Sequence, residues 1–230
     1  ERNRDPILAV LRDQFAGRCH VLEIGRSTGQ HGMRVAPAVH RGARRCTERN
    51  ENLPGTVQWL DEAGLPNTPA PVELDVATGP WPSQAFDAVF SANTLHIMGW
   101  PEVELFFEGV ARLREAAGAN GLTLAVYGPF NYGGDYSRDS NRQFDGWLHA
   151  RDARMGIRDF EAVDALAQAA GLALVDDIAM PANNRMLVWC SKSEGSGRRR
   201  SLSRDVHVPA CMVWRCRCAL DGAGRIQVQG

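Results

Sequence analysis

An α/β fold with a mostly parallel sheet and an antiparallel final strand follows from three features of this 230-residue chain. Short apolar segments of strand length alternate with longer segments of helical period from residue 6 to residue 190, the pattern that places helices over a parallel sheet. The first such segment, Val21-Leu22-Glu23-Ile24, runs into a turn bounded by Gly25 and Gly29. Residues 86–93, Phe-Asp-Ala-Val-Phe-Ser-Ala-Asn, are apolar almost throughout, as a central strand covered on both faces requires.

The elements follow in order. Residues 6–15 carry Pro6 near the start and an apolar face at helical spacing, so they predict a helix leading into a first strand at 19–25. A helix is expected at 30–39, ended or distorted by Pro37, then a second strand at 44–48 and a helix at 51–63 stopped by Gly64 and Pro66. The third strand is expected at 72–76, the fourth at 86–93 and the fifth at 121–127, with an amphipathic helix at 102–115 between the last two. Asp159 stands as the cap of a helix at 159–170. Strands at 173–179 and 185–190, joined by Met180-Pro181-Ala182-Asn183-Asn184, predict a closing hairpin and bring the strand count to seven. Residues 1–190 thus form the domain, and the polar, arginine-bearing stretch 191–230 is expected to be a mostly disordered tail.

With 44% hydrophobic residues the chain can bury one sizeable core, and a net charge of −1 gives no indication of nucleic acid. No apolar run approaches the ~18 residues of a membrane span and the N-terminus lacks a signal-peptide pattern, so a cytoplasmic location is expected. Lys192 is the sole lysine, which excludes a Walker-type phosphate loop, a Schiff-base lysine and a Tyr-x-x-x-Lys dehydrogenase pair from the core. Six scattered cysteines imply no disulfide framework. His207, Cys211, Cys216 and Cys218 lack paired zinc-ligand spacing, and no metal site is expected.

Ligands of open parallel sheets bind beyond the carboxyl ends of the strands. The residues expected there are Glu23 and Gly25, then Glu48, Asp75, Asn93 and Tyr127. Glu23 would repel a pyrophosphate but not a cationic amino-acid cofactor such as S-adenosylmethionine. Glu48 falls where a ribose-hydroxyl acceptor is usual, and Asp75 is suited to accept from an adenine amino group. Glycines at 25, 29 and 32 leave a nicotinamide-dependent oxidoreductase as an alternative, and a non-catalytic binding module as another.

Many segments within residues 1–190 carry a family resemblance. Arg2-Asn3-Arg4-Asp5-Pro6-Ile7-Leu8, Thr28-Gly29-Gln30-His31, Trp59-Leu60-Asp61-Glu62-Ala63-Gly64-Leu65-Pro66, Asn93-Thr94-Leu95-His96-Ile97, Tyr127-Gly128-Pro129-Phe130 and Met180-Pro181-Ala182-Asn183-Asn184 together resemble the methyltransferase-like twenty-six family, long described as a domain of unknown function. The resemblance implies a Rossmann-like three-layer sandwich of class I S-adenosylmethionine-dependent methyltransferases and leaves the methyl acceptor unidentified, while the near-neutral charge favours a small molecule. The implied cofactor-binding residues are Glu23, Gly25, Ser27, Gly29, His31, Glu48, Asp75, Val76 and Asn93. The family's turn reads Ser-Gly-Thr-Gly, and here Arg26-Ser27 replace its Ser-Gly, placing a side chain where backbone would pass near the cofactor. For catalysis, His96 is the first candidate base, expected to titrate near neutral pH, with a backbone-bonded structural histidine as the alternative. Asn93 and Tyr127 are candidates for orienting the acceptor, and Trp100 for an apolar wall. The long segment 131–159 is a candidate substrate lid, in which the aromatics of 144–148 are expected to pack inward.

Overall fold

The computed structural model describes residues 3–25, 43–49, 52–64 and 69–192, together with the strand residues 219–220 and 226–227. The first unit, residues 1–193, contains a seven-stranded sheet. Its strands are β1 (His20–Ile24), β2 (Ala43–Glu48), β3 (Val72–Glu73), β4 (Ala88–Ala92), β5 (Thr123–Gly128), β8 (Leu172–Met180) and β9 (Asn184–Ser191). A separate parallel pair joins β6 (Phe130–Asn131) to β7 (Arg158–Asp159). The helices are α1 (Arg4–Gln14), α2 (Leu53–Ala63), α3 (Trp100–Ala117), α4 (Asp139–Arg151) and α5 (Phe160–Ala169). In the second unit, β10 (Ala219–Leu220) and β11 (Ile226–Gln227) pair antiparallel; the rest of the expected tail, with its histidine and cysteines, lies outside the described residues.

The sheet order is β3-β2-β1-β4-β5-β9-β8. Adjacent strands from β3 through β5 run parallel, and β9 is antiparallel to both β5 and β8. The final strand is therefore the reversed one, inserted between β5 and β8 because a short turn carries the chain straight back along β8. Two-residue alternation separates two cores. Leu22, Val89, Leu124, Val126, Leu187 and Trp189 pack with Val103, Phe106 and Val110 of α3 and Val163 of α5. Val21, Ala88, Phe90, Ala125, Tyr127, Met186 and Val188 pack on the other face with Leu8 and Leu11 of α1. That is the three-layer arrangement.

Two expected elements differ. The third strand is two residues long, because the Asp75 carboxylate accepts the Ala77 N–H at 2.8 Å and the Asp75 carbonyl accepts the Gly79 N–H at 2.7 Å. This local turn takes the backbone away from the ladder, so Asp75 and Val76 do not end a strand. Asp159 occupies the N-cap position of α5 but makes no side-chain cap bond.

The first and fourth strands are aligned by a carboxylate. Asp87 accepts the N–H groups of Cys19 at 2.7 Å and His20 at 2.8 Å, and its own N–H donates to the His20 carbonyl at 3.0 Å. Asp87→Ala is expected to lower the unfolding free energy in a urea titration by about 2 kcal/mol, and Asp87→Asn, which keeps an acceptor, by less. Unchanged stability of the alanine variant would show that the carboxylate does not align these strands.

Candidate functional site

The chain leaves β1 toward β2 and β3 on one side of the sheet and continues through β4 and β5 on the other, so the carboxyl ends of β1 and β4 flank the crevice where strand order reverses. Glu23 is buried one residue before the end of β1. Its carbonyl accepts the Thr47 hydroxyl at 2.9 Å, and its Oε2 lies 3.5 Å from the Cys46 thiol on β2. Gly25 follows with φ +74°, and a Cβ there would lie 2.4 Å from Thr94 Cγ2. Thr94 is held in that position: its hydroxyl pairs with the Ser91 hydroxyl at 2.5 Å, and Ser91 donates to the Ile24 carbonyl at 2.9 Å. Glycine at 25 is thus required by both conformation and space.

Asn93 leaves β4 with φ +56°, and its N–H donates to the Tyr127 carbonyl at 2.8 Å. Glu48 is the buried last residue of β2, its Oε1 accepting from the Arg49 N–H at 3.0 Å and the Asn52 carboxamide at 3.2 Å. Asp75 is engaged in its own turn and pairs with Arg49 Nε at 3.2 Å, while Val76 is buried in the α3-side core. Ser27, Gly29 and His31, and the helix expected at 30–39, lie outside the described residues. Glu23, Gly25 and Asn93 therefore meet at one crevice; the Asp75 carboxylate is spent on its turn and on Arg49.

His96 is 7% exposed, its ring edge-on to Phe144 at 5.4 Å, and its carbonyl accepts the Gly156 N–H at 2.9 Å. Arg158 lies beside it, its guanidinium donating to the carbonyls of Leu95 at 3.1 Å, of Met98, and of Arg154 at 2.8 Å. Burial, reinforced by the Arg158 charge, pushes the imidazole pKa down to about 4. The expected titration near neutral pH is overturned: an imidazole removed from water and set near a guanidinium resists a second positive charge.

The segment after β5 holds β6, α4 and β7. The inward positions of α4 are Asn141, Asp145 and Leu148, whereas Trp147 is 55% exposed and Phe144 half-buried, stacked on Trp147 at 5.9 Å. The inward-packing aromatics are corrected accordingly. Asp145 is stable there because it accepts the Ile157 N–H and the Tyr136 hydroxyl, both at 2.6 Å. Trp100 opens α3, half-buried against the core, its indole N–H donating to Glu104 at 3.0 Å. Thr94, Ser91, Asp145 and Arg158 shape the site without an individual role assigned from sequence. Only the Ser91-x-x-Thr94 spacing behind a buried strand pointed to the first two.

The family model described as "Protein of unknown function (DUF938)" matches residues 1–191. The chain belongs to that family. The DUF938 fold is shared with solved methyltransferases of low identity. An O-methyltransferase family protein from Burkholderia thailandensis is 13% identical with a TM-score of 0.66, over 83% of this chain and 56% of that one. The mitomycin 7-O-methyltransferase MmcR is 16% identical with a TM-score of 0.63, over 81% and 54%, and PigF, solved with SAH, is 17% identical with a TM-score of 0.62, over 80% and 60%. The DUF938 chain spans little more than half the length of these proteins. Among its described residues no helix is long and apolar enough to cross a membrane.

The lowered His96 pKa has a consequence for stability. The unfolded histidine binds its proton near 6.5 and the folded one near 4, so the unfolded state holds more protons between those values. This contribution is fully present above pH ~6.5 and is lost as the pH falls toward 4, about 3 kcal/mol in all. Urea titrations at pH 7 and pH 4.5 are expected to show a drop that is largely removed in His96→Gln; equal drops in the two proteins would contradict the assignment.

Proposed function

We propose that this chain is an S-adenosylmethionine-dependent methyltransferase, as its resemblance to the methyltransferase-like twenty-six family also implies, and that it acts on a small-molecule acceptor. The observation that carries the proposal is the close approach of Thr94 to Gly25 at the ends of β1 and β4, where a Cβ would not fit, with the buried Glu23 two residues before that glycine. These residues fit a sulfonium amino-acid nucleoside. Glu23 suits the cofactor's ammonium group and disfavours the pyrophosphate of a dinucleotide. Gly25 and Glu48 are assigned to pass the cofactor and to pair with its ribose, and Ser27, Gly29 and His31, which lie outside the described residues, stay in the set on their sequence positions alone. Asp75, already committed to Arg49 and Ala77, is not carried into this set. The O-methyltransferases that share the fold support an oxygen acceptor.

When bound, S-adenosylmethionine supplies a methyl group already activated for displacement. The protein's own share is to orient the acceptor and exclude water. Asn93, which leaves β4 at positive φ with its N–H bonded to the Tyr127 carbonyl, is assigned to orient the acceptor through its carboxamide. His96, neutral throughout the physiological range, offers an imidazole nitrogen to the acceptor's proton as the oxygen–methyl bond forms. With a pKa near 4 it is a weak base, suited to taking the proton from an acceptor oxygen made acidic as the O–CH3 bond forms and the S–CH3 bond breaks, rather than to ionising the acceptor beforehand. The long segment after β5, which carries α4, is assigned the role of substrate lid.

Calorimetric titration tests the cofactor directly. S-adenosylmethionine and S-adenosylhomocysteine are expected to bind and NAD not to, and Glu23→Gln is expected to weaken both at least ten-fold, about 1.4 kcal/mol. Heat with NAD alone would instead support an oxidoreductase, and no heat with any of the three a non-catalytic module.

A further inference from the structure

β2 serves both carboxylates assigned to the cofactor. Its register sets Cys46 opposite Glu23, and two-residue alternation along the strand puts Glu48 on the same face of the sheet as that pair. Cys46 forms no disulfide, is 1% exposed, and its thiol donates to Glu23 Oε2 at 3.5 Å. From the next position of β2 the Thr47 hydroxyl donates to the Glu23 carbonyl at 2.9 Å. The strand thereby holds both the side chain and the backbone of Glu23. Packing alone would be met at position 46 by valine, which strands favour; the thiol adds a donor. A thiol donates weakly, so it can aim a carboxylate without competing strongly with a cationic ligand group for the same oxygen.

At the end of β2 the buried Glu48 carboxylate is aimed by different partners. Its Oε1 accepts the Arg49 N–H at 3.0 Å and the Asn52 carboxamide at 3.2 Å, two donors on one oxygen that fix the plane of the group. Asn52 is itself held, because its N–H donates to the Arg49 carbonyl at 2.9 Å, and Arg49 Nε is tied to Asp75 at 3.2 Å. A carboxylate oriented before the ligand arrives loses less freedom on binding, which raises affinity without adding a contact to the ligand.

We propose that Cys46 and Asn52 are positioning residues for the cofactor, Cys46 aiming the Glu23 carboxylate at the ammonium of the amino-acid end and Asn52 aiming the Glu48 carboxylate at the ribose hydroxyls. The proposal rests on the S-adenosylmethionine assignment above and adds the residues that preorganise its two anchoring carboxylates. Each acts through its carboxylate rather than on the ligand, so the two effects are separable. Loss of Cys46 disturbs ligands that carry the amino-acid chain, whereas loss of Asn52 disturbs every ligand that carries the ribose.

Calorimetric titration of the full chain with two probes tests this: S-adenosylhomocysteine carries both ends, and 5′-methylthioadenosine carries the ribose without the amino-acid chain. Cys46→Ala is expected to weaken S-adenosylhomocysteine about five-fold, as loss of one hydrogen bond does, and to leave methylthioadenosine within about two-fold of wild type. Cys46→Ser, which keeps a donor, is expected to recover most of the loss. Cys46→Val, which fills the space without a donor, is expected to match Cys46→Ala, and it decides the matter if the alanine variant is unstable. Asn52→Ala is expected to weaken both probes about five-fold. Neither substitution is expected to weaken binding further once its carboxylate is gone, so Cys46→Ala adds nothing to Glu23→Ala and Asn52→Ala adds nothing to Glu48→Ala. Equal loss of both probes in the Cys46 variants, or losses that simply add in the double variants, would overturn the proposal, since a general disturbance of β2 distinguishes neither probe nor background. Wild-type affinity in Cys46→Ala and Asn52→Ala would overturn it while leaving the cofactor assignment intact. Failure of the wild type to bind either probe would overturn that assignment and the proposal with it.

Discussion

The contact of Thr94 with Gly25, secured through Ser91 to the Ile24 carbonyl, governs the geometry of the carboxyl edge. It joins the ends of β1 and β4 through side chains at the level where their ladder runs out. Once Thr94 is fixed, the preceding Asn93 must turn through positive φ, and the chain is carried toward β5, where Asn93 bonds the Tyr127 carbonyl. The next turn places His96 beside Gly128 and gives its carbonyls to Arg158. A hydroxyl pair and one absent Cβ thereby set the positions of Glu23, Asn93 and His96 relative to one another.

The segment after β5 is held by a polar network beside the buried Leu148 and Ile157. Asp145 ties Tyr136 and Ile157 to α4, and Gly156, one residue earlier, donates to His96. A Cβ at 156 would lie 2.8 Å from the His149 ring and 3.2 Å from Asp145, so this approach also depends on glycine. Buried networks of this kind are stabilising when every member is paired and costly when one is lost. The segment after β5 and His96 are therefore tied together through the adjacent residues Gly156 and Ile157, while Trp147 is exposed.

Much of the fold was legible in the sequence because it rests on period and length. Residues 86–93 read as a central strand since Val89 and Phe90 face opposite cores and no position needs to be polar for water. The reversed last strand followed from a five-residue connection that leaves no room for a crossover helix. Glu23, Gly25 and Asn93 could be placed at strand ends because those ends can be located from apolar runs. The errors have a common origin in polar and charged partners that period and composition do not reveal. Val72 to Val76 alternates like a longer strand, but Asp75 captures two local N–H groups and ends it early. In α4 the aromatic positions look inward by composition, while Asn141 and Asp145 are the inward pair, satisfied by Asn183, Ile157 and Tyr136. The His96 titration depends on Arg158 and Phe144, and neither neighbour is visible from residues 93–97.

A crystal structure of the full chain with S-adenosylhomocysteine tests the central claim most directly. The account predicts the ligand in the crevice between β1 and β4, its amino-acid end at Glu23 and its backbone-hugging edge against Gly25 beneath Thr94. Density for the ligand elsewhere on the chain, with that crevice empty, would contradict it.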